Sequence, residues 1–232
     1  MLKQERQDTI LSEVTKERYC TVKALAGKLY VAPITIRRDL EEMEAAGLLK
    51  RCHGGAAVFE SENREIPYGL RERENANAKA RIAQKAVKLI PNGSTVFLDA
   101  SSTVSHVADY LSSDMDLTVI TNSVLVLERL RGKNIPCYLT GGMLVDTSYA
   151  LVGTLAEDTF SSLHADICFF SSQGITKDGV ITDYSEDQTQ VRKCMIRNAA
   201  KSVFLYDRSK IGKTFLFTVC KAQDLFAVVS ED

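Results

Sequence analysis

The sequence has no excess of either charge. Its 232 residues include 29 Lys and Arg against 30 Asp and Glu, which gives a net charge of −1. The first 57 residues are only slightly basic, with ten basic and eight acidic side chains. A surface that binds an acidic partner must therefore be a local patch, because the charge of the whole chain cannot attract one.

Long apolar runs are also missing. No stretch approaches the roughly 20 apolar residues of a membrane-spanning helix, and the charged start, Met1 to Arg6, is unlike a signal peptide. We therefore expect a cytoplasmic protein without a membrane partner. The composition, 45% hydrophobic and 25% charged, excludes disorder, and the length is sufficient for two domains.

Metal-ligating residues are few and scattered. The six cysteines form no C-x-x-C pair, and there are only three histidines, so no metal site is expected. Several cysteines lie in apolar runs, where a thiol behaves as a small buried hydrophobe. An alternative is that the protein senses oxidants through a thiol. Cys52, between Arg51 and His53, is the candidate cysteine for that role.

The first 59 residues have the pattern of three helices followed by a hairpin. Thr21 is a typical N-cap, Pro33 suits a first helical turn, and Gly47 suits a helix end. The predicted elements are helices over 3–16, 22–29 and 34–46 and two short strands within 48–59. This order predicts a winged helix-turn-helix, whose third helix enters the major groove of double-stranded DNA.

The third predicted helix has a packed face and an exposed one. Ile36, Leu40 and Met43 share one stripe, and Arg38 points almost opposite to it. The alternative is that Arg37 and Arg38 are solvated charges that pair with Glu41 and Glu42. The hairpin adds basic residues where a wing meets the DNA backbone. The predicted DNA-binding residues are Thr21, Pro33, Ile34, Thr35, Arg37, Arg38, Lys50, Arg51, His53 and Gly54.

Three segments resemble the DeoR-type bacterial repressors. They are Thr35-Ile36-Arg37-Arg38-Asp39-Leu40, Gly47-Leu48 and His53-Gly54-Gly55-Ala56. The resemblance implies a transcriptional regulator, a repressor, that binds operator DNA of carbohydrate-metabolism genes as a homo-oligomer, a dimer or a tetramer. Ala32 departs from the family, which more often has a serine there, and loses a helix cap worth about 1 kcal/mol.

Beyond residue 80, helical patterns alternate with short β-rich runs. Strands are predicted at 95–99, 117–121, 136–140, 166–171, 202–207 and 226–230, and helices at 82–90, 104–111, 124–130, 155–161 and 187–200. This alternation predicts a Rossmann-like α/β domain with a mostly parallel sheet. We assign residues 1–59 to the DNA-binding domain, 60–79 to a linker that is partly helical from Tyr68, and 80–232 to the α/β domain, which would bind an effector and form the oligomer.

Small polar residues follow five of the predicted strands. The carboxyl ends of parallel strands meet at one edge of a sheet, where ligands bind, and a helix N-terminus there favours an anion. Taken alone, each loop could be a helix cap, a turn or a solvated lysine without a binding role. Five such loops on one edge of the sheet indicate a ligand site. The predicted effector-binding residues are Asp99, Ser101, Ser102, Thr103, Thr121, Asn122, Ser123, Gly141, Gly142, Gly174 and Lys210.

The resemblance extends through this second half. Family motifs match residues 99–103, 121–123 and 141–142, Gly174 and Ser209-Lys210-x-Gly212. It implies a sugar-phosphate-isomerase-like fold that binds a phosphorylated sugar effector and no cofactor. Ser101 stands where the family commonly has glycine, and its Cβ would make a positive φ costly. Residues 171–173 also depart from the family pattern, which bears on the choice of sugar.

An enzyme is the alternative function. Aldose–ketose isomerases share such a fold and need a carboxylate base, for which Asp99, Asp183 and Glu186 are candidates. The DNA-binding module on the same chain favours a sensor, so we expect no catalytic residue.

Overall fold

The computed structural model describes residues 1–58 and 66–232. The chain divides into two compact units, residues 1–71 and residues 72–232. Among the described residues, no helix combines the length and the apolarity that crossing a membrane requires.

The first unit is a winged helix-turn-helix, as predicted. Its elements are α1 (Lys3–Glu17), β1 (Tyr19–Thr21), α2 (Val22–Leu29), α3 (Pro33–Ala45), β2 (Lys50–Cys52) and β3 (Gly55–Ala57). Strand β3 lies between β1 and β2 and is antiparallel to both. Strand β1 was not predicted, because three residues between two helices carry no readable alternation. The end of the predicted hairpin, Phe59, lies outside the described residues.

The two ends of α3 follow from local sequence. Pro33 occupies the first turn, where no N–H is needed. At the other end Gly47 has a φ of 66°, and two backbone bonds close the helix. Leu48 N donates to Met43 O at 2.8 Å and Gly47 N to Glu44 O at 2.9 Å, which is a Schellman motif. Inward, Ile36, Leu40 and Met43 are at most 1% exposed, so the predicted packed stripe is confirmed.

Two helices occupy much of the predicted linker. Residues 60–65 lie outside the described residues, but α4 (Tyr68–Arg73) and α5 (Ala76–Val87) follow. Tyr68, Arg71 and Lys79 are buried, and the two units divide between Arg71 and Glu72. The polar composition of this segment hides an amphipathic helix, since α5 also buries Ile82, Ala83 and Ala86.

The second unit is built on a six-stranded parallel sheet. Its elements in chain order are β4 (Thr95–Leu98), α6 (Ser102–Asp109), β5 (Thr118–Thr121), α7 (Val124–Leu130), β6 (Cys137–Leu139), β7 (Met143–Val145), β8 (Ala150–Val152), α8 (Thr154–Ser162), β9 (Ala165–Phe170), β10 (Gly174–Ile175), β11 (Val180–Asp183), α9 (Glu186–Arg197), β12 (Ala199–Leu205), β13 (Phe217–Lys221) and β14 (Ala227–Val229). The sheet runs in the order β14-β12-β9-β4-β5-β6. These are the six predicted strands, so the predicted α/β fold is confirmed.

Helices cover both faces of this sheet. Along β4, Val96 and Leu98 pack on one side with α5, α6 and α7, whereas Phe97 packs on the other with Phe160 of α8 and Val191 of α9. Strands buried on both faces read as continuous apolar runs, which is why the sequence predicted them.

The strand order reverses between β4 and β9. From β4 the chain adds β5 and β6 on one side, and β9, β12 and β14 then extend the sheet on the other. In open α/β sheets, ligands bind beyond the carboxyl ends of the strands at such a reversal. The loops after β4 and β9 therefore flank the expected binding crevice.

Candidate nucleic-acid interface and effector site

The N-terminal half of α3 presents four of the ten predicted DNA contacts on one surface. Ile34 is 68% exposed, Arg37 and Arg38 are exposed, and Thr35 is half-buried. These four residues line an open concavity together with Lys3 of α1. The sequence reading missed Lys3, because it is distant in the chain and belongs to another helix.

The arginines are not neutralised by the acidic residues one turn away. Arg38 Nε lies 3.6 Å from Glu42 Oε1, an exposed pair that contributes little. Glu42 also contacts Lys3 Nζ at 2.6 Å, and this hydrogen bond lowers the pKa of Glu42. In the described part of the chain no ion pair involves Arg37. The alternative of mutually neutralised surface charges therefore applies at most to Arg38, and weakly.

Asp39 holds α3 against α1. Its carboxylate is 2% exposed and accepts from Arg6 Nε at 2.5 Å and Nη2 at 3.0 Å. The hydrogen bond that Arg6 donates to Asp39 raises the pKa of Arg6 above its ordinary value. A two-pronged pair of this kind fixes orientation as well as distance. Asp39 thus sets which residues of α3 point outward, a role that the sequence reading did not assign.

The wing is a tight hairpin. Cys52 pairs with Gly55, so the turn consists of His53 and Gly54, and Gly54 has a φ of 79°. Its carbonyl accepts from Val22 N at 2.8 Å. A Cβ on Gly55 would lie 2.1 Å from Cys20 O, so β1 requires a glycine there. The HGG segment therefore serves the shape of the wing.

The basic residues of the wing differ in their surroundings. Lys50 and His53 are exposed, whereas Arg51 Nη1 lies 3.2 Å from Glu41 Oε1 on α3. Thr21 Oγ1 accepts from Ala24 N at 3.1 Å and caps α2. The predicted contacts Thr21, Pro33 and Gly54 thus have structural roles in the unit.

The loop after β4 is organised by Asp99. Its Oδ1 accepts from Ser101 N at 3.0 Å and from Ser101 Oγ at 2.5 Å. Ser101 Oγ in turn accepts from Val104 N at 3.2 Å and caps α6. Ser101 has a φ of −79°, so the expected cost of a Cβ at positive φ does not arise. Serine is accommodated here without strain.

A buried ion-pair cluster joins the crevice to α9. Arg192 Nε donates to Asp99 Oδ2 at 2.8 Å and Nη1 to Asp183 Oδ2 at 2.9 Å, with side chains at most 4% exposed. Burial alone would lower the pKa of Arg192, but the charges of Asp183 and Asp99 raise it. Ser171 N also donates to Asp99 Oδ2, at 3.3 Å. Asp99 is therefore fully engaged within the fold, and the sequence reading missed Arg192.

The loops after β5 and β6 are tied to the hairpin of β7 and β8. Thr121 Oγ1 donates to Leu98 O at 2.7 Å, and Ser123 Oγ accepts from Val126 N at 3.2 Å, which caps α7. Asn122 Nδ2 donates to Leu151 O at 2.9 Å. These residues meet at the predicted edge, as the parallel sheet requires.

Two of the predicted effector-binding glycines are required by packing. A Cβ on Gly142, whose φ is 129°, would lie 2.5 Å from Val152 O. A Cβ on Gly174 would lie 2.5 Å from Lys213 O. Backbone therefore fills the space that a side chain at either position would need. At Gly141 a Cβ would make only ordinary contacts, 3.5 Å from Leu155 Cβ.

The loops after β9 and β12 converge. Lys210 Nζ donates to Gln173 Oε1 at 3.3 Å. Asp207 Oδ1 accepts from Ser209 N at 3.0 Å and from Asn75 Nδ2 at 3.0 Å. Lys210, the cation among the predicted effector-binding residues, is half-buried where these two loops meet.

The thiols and the remaining candidate carboxylate differ in their burial. Burial raises the pKa of Cys137 to about 11 and that of Cys220 to about 12, and Cys168 and Cys194 are buried. Cys52 is exposed. Glu186 is exposed at the start of α9. No cluster of three His, Cys, Asp or Glu in residues 1–58 and 66–232 could hold a metal ion.

Proteins of known fold resemble the second unit. The eIF2B delta protein of Chaetomium thermophilum aligns with a TM-score of 0.51 and 17% identity over 70% of this chain and 58% of that chain. The ribose 5-phosphate isomerase of Methanocaldococcus jannaschii aligns with a TM-score of 0.45 and 20% identity over 59% of this chain and 55% of that one. At such identities only the fold is comparable.

Protein families and relatives match nearly the whole chain. The DeoR-like helix-turn-helix domain matches residues 6–62, and the DeoR C terminal sensor domain matches residues 74–232. The regulator GolR of Listeria innocua is 32% identical over 98% of this chain and 90% of its own length. For the regulator GlpR of Haloferax volcanii the values are 35%, 92% and 84%, and for the lactose phosphotransferase system repressor of Staphylococcus epidermidis 32%, 100% and 93%. The chain belongs to the DeoR family of transcriptional regulators.

Proposed function

We propose that this regulator represses carbohydrate-metabolism genes and releases its operator when a phosphorylated sugar binds the second unit. The observation that carries the proposal is the pairing, in one chain, of exposed arginines on α3 with convergent polar loops at the strand ends. The names of the relatives support a sugar: one is a lactose phosphotransferase system repressor and another, in Haemophilus influenzae, an L-fucose operon activator. We propose that no cofactor is needed.

Helix α3 would read the operator from the major groove. Ile34 and Thr35 suit contacts with thymine methyl groups or phosphates, and Arg37 and Arg38 suit guanine edges or phosphates. Lys50 and His53 would meet the adjacent backbone. Arg51 would have to exchange Glu41 for a phosphate, which costs little because the pair is exposed.

The phosphate of the effector would bind at the start of α6. Ser102 and Thr103 place hydroxyls and backbone N–H groups there, and a helix N-terminus favours an anion. Lys210 supplies a positive charge at the same edge of the sheet. Asp99 would act through Ser101, by holding the loop, because its own oxygens are occupied.

A second copy of the chain would complete the regulator. Residues 137–155 contain one charged residue, Asp146, and expose Tyr138, Met143, Leu144 and Leu155. They include the edge strand β6, and an apolar edge without protecting charge invites pairing. A dimer or tetramer formed here would hold two wings at two half-sites. Effector binding would change their spacing and weaken DNA binding by about 1–3 kcal/mol.

Catalysis is the second candidate, and the buried cluster argues against it. A general base must be able to accept the proton it removes, but the carboxylates of Asp99 and Asp183 are already paired with the buried cation Arg192. An NMR assay with pentose and hexose phosphates tests this candidate. Steady conversion that disappears in Asp99→Asn would show that the chain is an enzyme.

Selection of bound duplexes from a random DNA library tests the regulator itself. We expect one enriched, two-fold symmetric sequence, whose affinity falls about 5–150-fold when the effector is added. A thermal-shift screen of sugar phosphates identifies that effector, since a ligand that binds the folded state raises the unfolding midpoint. Absence of any enriched sequence would contradict the proposed function.

A further inference from the structure

Two buried polar atoms lie without a partner at the ends of β5 and β6. Asn122 Oδ1 and Thr140 Oγ1 have no hydrogen-bond partner among the described residues. Asn122 is 2% exposed and Thr140 is 3% exposed. Thr121 and Ser123, on either side of Asn122, both have bonded hydroxyls. Because an unsatisfied buried polar group is costly, two in one place need an explanation.

The sheet register places the two residues side by side. Strands β5 and β6 are parallel, with Thr121 opposite Leu139. The ladder continues past the strand ends, since Thr140 N donates to Thr121 O at 2.9 Å. Asn122 and Thr140 therefore come next on two strands that are about 4.8 Å apart.

The orientation of the Asn122 amide is fixed by the β7–β8 hairpin. Its Nδ2 donates to Leu151 O at 2.9 Å, and a carbonyl can only accept. The unpaired atom is therefore the amide oxygen, which needs a donor. The Thr140 hydroxyl can both donate and accept. A group bound here must offer at least one O–H or N–H, and a fully ionised phosphate offers none.

We propose that Asn122 and Thr140 bind hydroxyl groups on the carbon chain of the effector and leave the phosphate to α6 and Lys210. One ligand hydroxyl donates to Asn122 Oδ1. The ligand hydroxyl on the adjacent carbon forms a hydrogen bond with Thr140 Oγ1, as donor or as acceptor. This subsite rests on the proposed function and deepens it. The effector is then a polyol phosphate with vicinal hydroxyls. The free protein is less stable because the two atoms are unpaired, and binding of the effector satisfies them.

The substitution Thr140→Val tests the subsite through two readouts with opposite signs. It removes the hydroxyl and nearly keeps the shape, so the free protein gains stability and its unfolding midpoint rises by about 2–4 °C. The ligand is whichever of ribose 5-phosphate, fructose 6-phosphate, glucose 6-phosphate and glycerol 3-phosphate binds the wild-type protein most tightly. Its dissociation constant rises about 10-fold in Thr140→Val. Affinity for inorganic phosphate, and for DNA without sugar, stays unchanged.

Two controls separate a binding role from a structural one. Thr140→Ser keeps the hydroxyl and retains sugar-phosphate affinity. Thr118→Val makes the same change at the amino end of β5 and leaves both affinities unchanged. A Thr140→Val protein that binds the sugar phosphate normally, or that loses sugar phosphate and inorganic phosphate equally, would overturn the hydroxyl subsite while the proposed function stands. If the wild-type protein binds no sugar phosphate, the subsite and the proposed effector fail together.

Discussion

The polar groups of the two proposed sites lie in opposite environments. On α3, Arg37 and Arg38 are exposed to solvent, and the ion pair of Arg38 with Glu42 is long, at 3.6 Å. At the strand ends, Asp99, Ser101 and Thr121 are at most 5% exposed and bonded to the fold around them. A proposed DNA contact can therefore be removed without a loss of stability, whereas the proposed effector site is built from groups that also hold the second unit together.

The largest effect should come from the buried cluster. Arg192→Met leaves Asp99 and Asp183 without their shared cation, and breaking a buried pair from one side costs about 3–5 kcal/mol of stability. Urea unfolding of the full chain measures it. Arg131→Met, whose pair with Glu128 is 80% and 61% exposed, is the control and should change stability by less than about 0.5 kcal/mol. Equal small losses in both variants would show that the two environments do not differ in energy.

The second effect, on DNA binding, should appear without loss of stability. Arg38→Ala removes a predicted base or phosphate contact worth about 1–3 kcal/mol, and loss of a phosphate contact would also flatten the salt dependence. Fluorescence anisotropy with the selected operator, at several salt concentrations, measures both. Arg131→Ala, equally exposed in the second unit, should bind normally. Unchanged operator affinity in Arg38→Ala would show that α3 is not the recognition helix.

The sequence predicted what depends on local pattern and missed what depends on packing. Apolar runs identified the six strands of the main sheet, and helical spacing identified the stripe of Ile36 on α3. The three-residue strands β7 and β8 have no such signature. Arg192 reads like its neighbour Lys193 until the tertiary fold buries one of them. The packing of Gly142 against Val152 could not be predicted, because it depends on the β7–β8 hairpin, which the pattern did not reveal.

A third effect separates effector binding from DNA binding. Lys210→Ala removes the cation of the proposed phosphate site, so the effector concentration that releases DNA should rise about 10-fold, as expected for loss of a charge-assisted bond. DNA affinity without effector should stay unchanged in the same anisotropy assay. Lys213→Ala, exposed three residues further on, is the matched control. A normal effector response in Lys210→Ala would remove Lys210 from the site.

The smallest effect tests whether the DNA-binding unit can gain stability without a change in binding. Ala32 has the extended backbone of an N-cap, φ −63° and ψ 144°, but gives α3 no side-chain cap. Ala32→Ser should add about 0.5–1 kcal/mol, less than the full value of a cap because Thr35 N already donates to Ala32 O at 2.9 Å. Thr21→Ala, which removes the cap that α2 has, should lose about as much in the same unfolding assay. Because Arg37 and Arg38 keep their positions in Ala32→Ser, operator affinity should stay constant while stability rises. A change in operator affinity would mean that the DNA-binding function of α3 depends on the stability of its first turn. The two units would then not differ in how closely stability and the proposed function are linked.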